Sequence, residues 1–218
     1  MRKLMPGLLV LAAAAAFTVW AYPQLPPLVA THFDLHGRPN GWSSRFAAAV
    51  LIPAIVVGLA VVFAVLPKID PRKANYAKFG PAYWTIANAV LVVVAAIHVV
   101  TLMRALGWDM NLTRVAFAGV GALMVLVGNL MTRLRPNWFV GIRTPWTLSS
   151  ETVWRKTHRF GGYAFIVAGL CLMASGFVAT RWGLMVGLGA MGAAALASVV
   201  YSYLLWRGEQ EDGPPPQG

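Results

Sequence analysis

The sequence predicts an all-α integral membrane protein, a bundle of about six transmembrane helices with both termini on the cytoplasmic side. Three observations carry this. Of the 218 residues 58% are hydrophobic and only 11% are charged, far from the composition of a soluble domain. The apolar residues fall in long uninterrupted runs, and the basic residues alternate between the ends of those runs. A helix crossing the hydrocarbon core needs about 20 apolar residues, since a rise of about 1.5 Å per residue must cover about 30 Å.

The six runs are Leu4 to Tyr22, Phe46 to Leu66, Tyr83 to Leu106, Val115 to Met131, Tyr163 to Thr180 and Trp182 to Trp206. Arg2 and Lys3 ahead of an alanine-rich stretch also fit a cleaved leader. The length of that run and its closing Trp20 and Tyr22, placed as an interfacial belt would be, favour a retained span. With the amino terminus inside, the cytoplasmic links hold Lys68, Arg72, Lys73 and Lys78, then Arg133, Arg135, Arg143, Arg155, Lys156 and Arg159, and finally Arg207. Only Arg38, Arg45, Arg104, Arg114 and Arg181 of the 18 basic residues face outward. Topology thus absorbs the net charge of +11, and no direct nucleic-acid partner is needed to explain it.

The expected organisation is an N-terminal two-helix unit at 1–66 with a structured outside loop at 23–45. A third span with its flanking links follows at 67–114. Three further spans and a cytoplasmic loop at 132–160 occupy 115–208, and a disordered tail takes 209–218. The tail holds three acids and three prolines.

All seven carboxylates, at Asp34, Asp70, Asp109, Glu151, Glu209, Glu211 and Asp212, lie outside the runs. A proton-coupled small-solute transporter usually carries a buried acid whose protonation changes during its cycle, so that reading loses weight. Among the few polar residues inside the runs are Asn88, His98 and Asn129. His98 is expected to be a neutral imidazole bonded to a neighbour such as Thr101, one turn on. Cys171 lies inside a run and can form no intrachain disulfide, being the single cysteine. In the sixth run Gly183, Gly187, Ala190, Ala194, Ser198 and Ser202 form a small-residue stripe, expected to pack inside the bundle.

Function is therefore sought in the two long loops. The outer one opens with Pro23, Pro26 and Pro27, and closes through Gly37, Pro39, Asn40 and Gly41. These residues imply an ordered turn. His32, Asp34 and His36 alternate there, so an extended chain would put them on one face, and two His with one carboxylate can hold zinc. Short solvated loops collect such residues without binding metal, and no metal or cofactor is expected. Catalysis is not expected either, because no nucleophile and base pair, phosphate loop or nucleotide motif is present.

In the inner loop Pro136, Gly141 and Pro145 make turns. Ser149 or Ser150 can cap a helix that starts at Glu151 and runs into the fifth span. On it Glu151 and Arg155 would pair, and Glu151, Trp154 and His158 would share a face. Trp138, Trp146 and Trp154 with the loop's basic residues suit either anionic head groups or a docking protein.

The motif Gly128-Asn129, Pro136-Asn137, Gly141-Ile142-Arg143-Thr144-Pro145-Trp146-Thr147, Ser150-Glu151, Trp154 and Thr157-His158-Arg159 resembles the signature of the SdpI family. The outer loop, with Pro27, His32, Phe33, Gly37, Pro39 and Trp42, is similar to the small domain of unknown function often found ahead of it. That family comprises bacterial membrane proteins typified by immunity to a secreted peptide toxin. The resemblance implies a multipass protein of the bacterial cytoplasmic membrane, with the lipid bilayer as its surroundings. It also implies a peptide toxin bound outside and a repressor-type protein held inside. Candidate binding residues are His32 and Trp42 outside, and Asn129, Asn137, Arg143, Trp146, Glu151, Trp154 and His158 inside.

Overall fold

The computed structural model describes residues 2–34, 37–178 and 180–211. Six helices in it are long and apolar enough to cross a membrane. They are α1 (Met5–Ala21), α2 (Arg45–Ile69), α3 (Tyr76–Ala105), α4 (Leu112–Met131), α6 (Glu151–Val178) and α7 (Arg181–Glu211), with a short α5 (Pro145–Ser149) between the fourth and fifth. Large apolar side chains cover the outside of these helices, with Val19 and Trp182 each 75% exposed. Such a surface is stable against lipid and not against water.

Loop contacts fix the alternation of the links. At one end of the bundle Arg104 at the close of α3 donates through Nη2 to the Gly37 carbonyl oxygen at 2.9 Å and lies over the Phe33 ring at 4.7 Å. At the other end Arg72 donates to the Leu148 carbonyl at 2.8 Å, and Asn75 donates to that of Pro136 at 2.7 Å. The loop after α1 thus meets the link after α3, and the link after α2 meets the loop after α4.

Three packed clusters hold the helices. One joins α3 to α4 and α6 through Tyr76, Phe79, Tyr83, Ile86, Leu130, Met131 and Trp154. A second packs Leu4, Val56, Ala60, Ala87 and Leu91 between the first three spans. The third sets Leu25, Val29, Ala48 and Leu102 beneath the outer loop. Without a hydrophobic driving force in lipid, close backbone approach supplies much of the attraction. The α4–α6 seam does this with glycines: a β-carbon on Gly121 would lie 2.6 Å from the Gly169 carbonyl oxygen, and one on Gly128 would lie 2.6 Å from that of Gly162. The stripe on α7 packs inward as expected, with Gly187, Ala194, Ser198 and Ser202 buried.

The structure departs from the sequence reading in several places. The outer loop is an antiparallel hairpin of β1 (Leu28–Phe33) and β2 (Pro39–Ser44), the one sheet among the described residues. Helix α3 begins about two turns ahead of the apolar run, because Tyr76, Phe79 and Tyr83 find an aromatic core there. Helix α7 continues through Glu211, so the tail is helical for its first three positions. Arg207 Nε meets Glu211 Oε1 there at 2.9 Å, whereas the expected Glu151–Arg155 pair is not made. The partner of His98 is Thr18 of α1, whose Oγ lies 2.8 Å from Nε2, while Thr101 bonds back to the Ile97 carbonyl. A helix neighbour was the nearer choice in sequence, but the packing of α1 against α3 brings a hydroxyl to the ring. Asn88 likewise uses its amide across helices, accepting from Gly7 N–H and donating to the Lys3 carbonyl.

Candidate functional site

The inner loop is built around buried polar side chains. Asn137, with no exposed surface, closes its own turn: Nδ2 donates to the Arg135 and Val140 carbonyls at 2.9 Å each, and Oδ1 accepts from Phe139 and Val140 N–H at 2.9 and 2.7 Å. Every hydrogen-bonding position of the amide is used locally, which is how a buried Asn is kept without penalty.

His158 anchors the same loop to α6. The Ile142 N–H donates to Nε2 at 3.0 Å, so the proton sits on Nδ1, which donates to the Trp154 carbonyl at 2.8 Å. Trp154 stacks on the imidazole with centroids 4.0 Å apart, and its indole N–H donates to the Leu134 carbonyl at 3.1 Å. Gly141 makes the approach possible. Its φ is +112°, and a β-carbon there would collide with His158 Nε2. Thr144 and Thr147 then form a reciprocal cap at the start of α5, and Thr144 Oγ reaches Ser202 Oγ of α7 at 3.1 Å. Ser150 caps α6, accepting from Val153 N–H at 3.2 Å.

Sequence reasoning passed over Asp70. It is 2% exposed and accepts from Arg72 N–H at 2.7 Å, Tyr76 O–H at 3.1 Å and Trp138 N–H at 3.0 Å, so it clamps the α2–α3 link to the inner loop. Its place before Pro71 at the end of an apolar run was a turn signal, but the long-range partner was not legible.

The inner candidate residues therefore divide. Asn137, Trp154 and His158 are buried and saturated within the fold, so Trp154 does not face lipid head groups as expected. Trp146 is half-buried against Tyr203 and Trp206 of α7, with centroids 5.1 and 6.5 Å away. Arg143, Glu151 and Asn129 are exposed; Arg143 donates to the Trp138 carbonyl at 2.6 Å. Asn129 stands apart from the loop, in a small cavity with Arg159.

At the other end of the molecule, the outer hairpin exposes His32, Trp42 (58%) and, at the start of α2, Phe46 (65%). Between α1 and α2 lies a cleft of about 860 Å³ lined by apolar side chains including Leu11, Val19, Phe46, Val50 and Val57. β1 ends at Phe33, so Asp34 lies in the turn, where Oδ1 accepts from Arg38 N–H at 2.9 Å. His36 lies outside the described residues. Among those described, no three His, Cys, Asp or Glu side chains come together as a metal site would need.

A hairpin over an apolar cleft at one end, a hydrogen-bonded loop at the other and six spans between them define a multipass membrane protein. Its inner loop and last helices, residues 133–202, match the model of the SdpI/YfhL protein family, and residues 9–57 match a domain of unknown function, DUF1648. The resemblance read from the inner motif is thereby borne out. The chain is 23% identical over 203 residues to the protein named Immunity protein SdpI of Bacillus subtilis (strain 168), across 93% of this chain and 95% of that one. No solved structure matches.

Proposed function

We propose that this chain is a membrane immunity or signalling protein of the SdpI type, without catalytic activity, in the bacterial plasma membrane. It recognises a secreted antimicrobial peptide at its outer face and holds a cytoplasmic regulator at its inner one. The observation that carries the reading is the end-to-end likeness to an immunity protein, which takes in the hairpin region and the inner motif in the same order. The outer geometry supports it. Exposed Phe46 lines the apolar cleft between α1 and α2, and exposed Trp42 stands on the hairpin strand that leads into α2, together a surface suited to an apolar or amphipathic peptide arriving from outside. Exposed Arg143 and Glu151 are the charged positions on which a regulator would draw inside.

The test is survival of a toxin-sensitive bacterium expressing the chain, measured across doses of related toxin peptides and with insertion confirmed. Protection is expected. It falls with Trp42→Ala or His32→Ala, while Arg143→Ala spares protection and removes regulator capture. Absence of protection against every peptide in an inserted protein overturns immunity.

A further inference from the structure

Within the inner motif most polar side chains are taken up by the fold, as Asn137, Thr144, Thr147 and His158 show. Asn129, Thr132 and Arg159 are the contrast. All three are exposed, none makes a side-chain hydrogen bond among the described residues, and all line one cavity of about 280 Å³ with the exposed Tyr163 and the half-buried Ile166. The cavity sits where α4 crosses α6 at Gly128 and Gly162, two residues so close that a β-carbon on Gly162 would lie 2.8 Å from the Gly128 carbonyl oxygen. No carboxylate lines it.

Its position selects the ligand. Asn129 is two residues from the end of α4, so its amide is at the cytoplasmic edge of the hydrocarbon, where an unpaired polar group on a lipid-facing surface is costly. The side chains that line it from the end of α4, its C-cap and α6 carry donors: the amide, the threonine hydroxyl, the tyrosine hydroxyl and a guanidinium able to grip two phosphate oxygens at once. Ile166 is one turn deeper along α6 and continues the wall with an apolar surface. Cationic and polar above, apolar below, the site has the complementary pattern of an anionic amphiphile.

We propose that the α4–α6 cavity binds the head group of an anionic phospholipid of the cytoplasmic leaflet. Arg159 pairs with the phosphate, Asn129 and Thr132 donate to its oxygens, and an acyl chain runs past Ile166. The site is separate from the outer face and does not depend on the immunity reading.

The test uses the full chain in phosphatidylcholine nanodiscs with a minor fraction of phosphatidylglycerol, bound lipid being counted by native mass spectrometry after release. One phosphatidylglycerol is retained with a preference of about fivefold over phosphatidylcholine. Arg159→Gln abolishes the preference and Asn129→Leu or Thr132→Val reduces it, whereas Lys156→Gln, on the same helix but outside the cavity, leaves it intact. The three cavity side chains are not used by the fold, so circular dichroism of the variants matches the parent. Equal retention of the two lipids by the parent, or an equal loss in Lys156→Gln, overturns the site. Displacement of the lipid by millimolar inorganic phosphate overturns the lipid as its ligand.

Discussion

Gly141, His158 and Trp154 show how single residues organise the inner motif. Gly141 adopts a backbone conformation that L side chains rarely take, and its missing side chain is the space the imidazole fills. Gly141→Ala is expected to destabilise the protein by about 1–3 kcal/mol through backbone strain alone, with the collision adding to it. Denaturant unfolding in detergent followed by tryptophan fluorescence measures this, and an unchanged midpoint refutes it. Thr157, in the same motif, predicts the opposite sign. Its Oγ is buried without a hydrogen-bond partner, a state that costs about 1–3 kcal/mol. Thr157→Val keeps the shape and removes the orphaned hydroxyl, so the same measurement should find the variant equal to or more stable than the parent.

Among the helices, the α4–α6 seam depends on backbone contact and the outer face of α7 does not. Gly128→Val places atoms where the Gly162 carbonyl stands, and separating the helices costs about 3 kcal/mol as overpacking does. A β-carbon on Gly192 of α7 would meet nothing within 4 Å; Gly192→Ala should be neutral or gain up to about 1 kcal/mol in helix propensity. Thermal unfolding followed by helical circular dichroism separates the two, and equal effects would disprove the seam. The small-residue stripe of α7 was legible as a contact surface from its spacing, and its buried members do pack inside the bundle. Gly121 and Gly128 on α4, and Gly162 and Gly169 on α6, share the same interval along their helices. Their mutual pairing could be read only once those helices were seen side by side.

For the whole molecule the decisive property is sidedness. Basic-residue placement predicts the hairpin outside and the inner motif inside, and the loop contacts put them at opposite ends of the bundle. In a Cys171→Ser background, Trp42→Cys is expected to react with a membrane-impermeant thiol reagent on intact cells. Trp138→Cys, at a position 48% exposed at the other end, is expected to react only after permeabilisation. Labelling of both from outside, or the reverse pattern, would overturn the orientation.

What the sequence determined by itself is the membrane class, the six spans and the two informative loops, because length, apolarity and charge placement act locally and are written in order along the chain. The Asn137–Arg159 motif was equally visible as a pattern. Tertiary structure decided what its residues do, since burial and hydrogen-bond partners come from segments distant in sequence. Asp70 waits on Trp138, Thr18 on His98 and Thr144 on Ser202. Packing turned Trp154 and His158 from expected surface contacts into the frame of the loop and left Asn129 and Arg159 as polar groups the fold does not use. It also paired two short segments into a hairpin whose weak alternation did not announce strands. A polar side chain in lipid is either satisfied by the protein or available to something else, and only the folded arrangement tells the two apart.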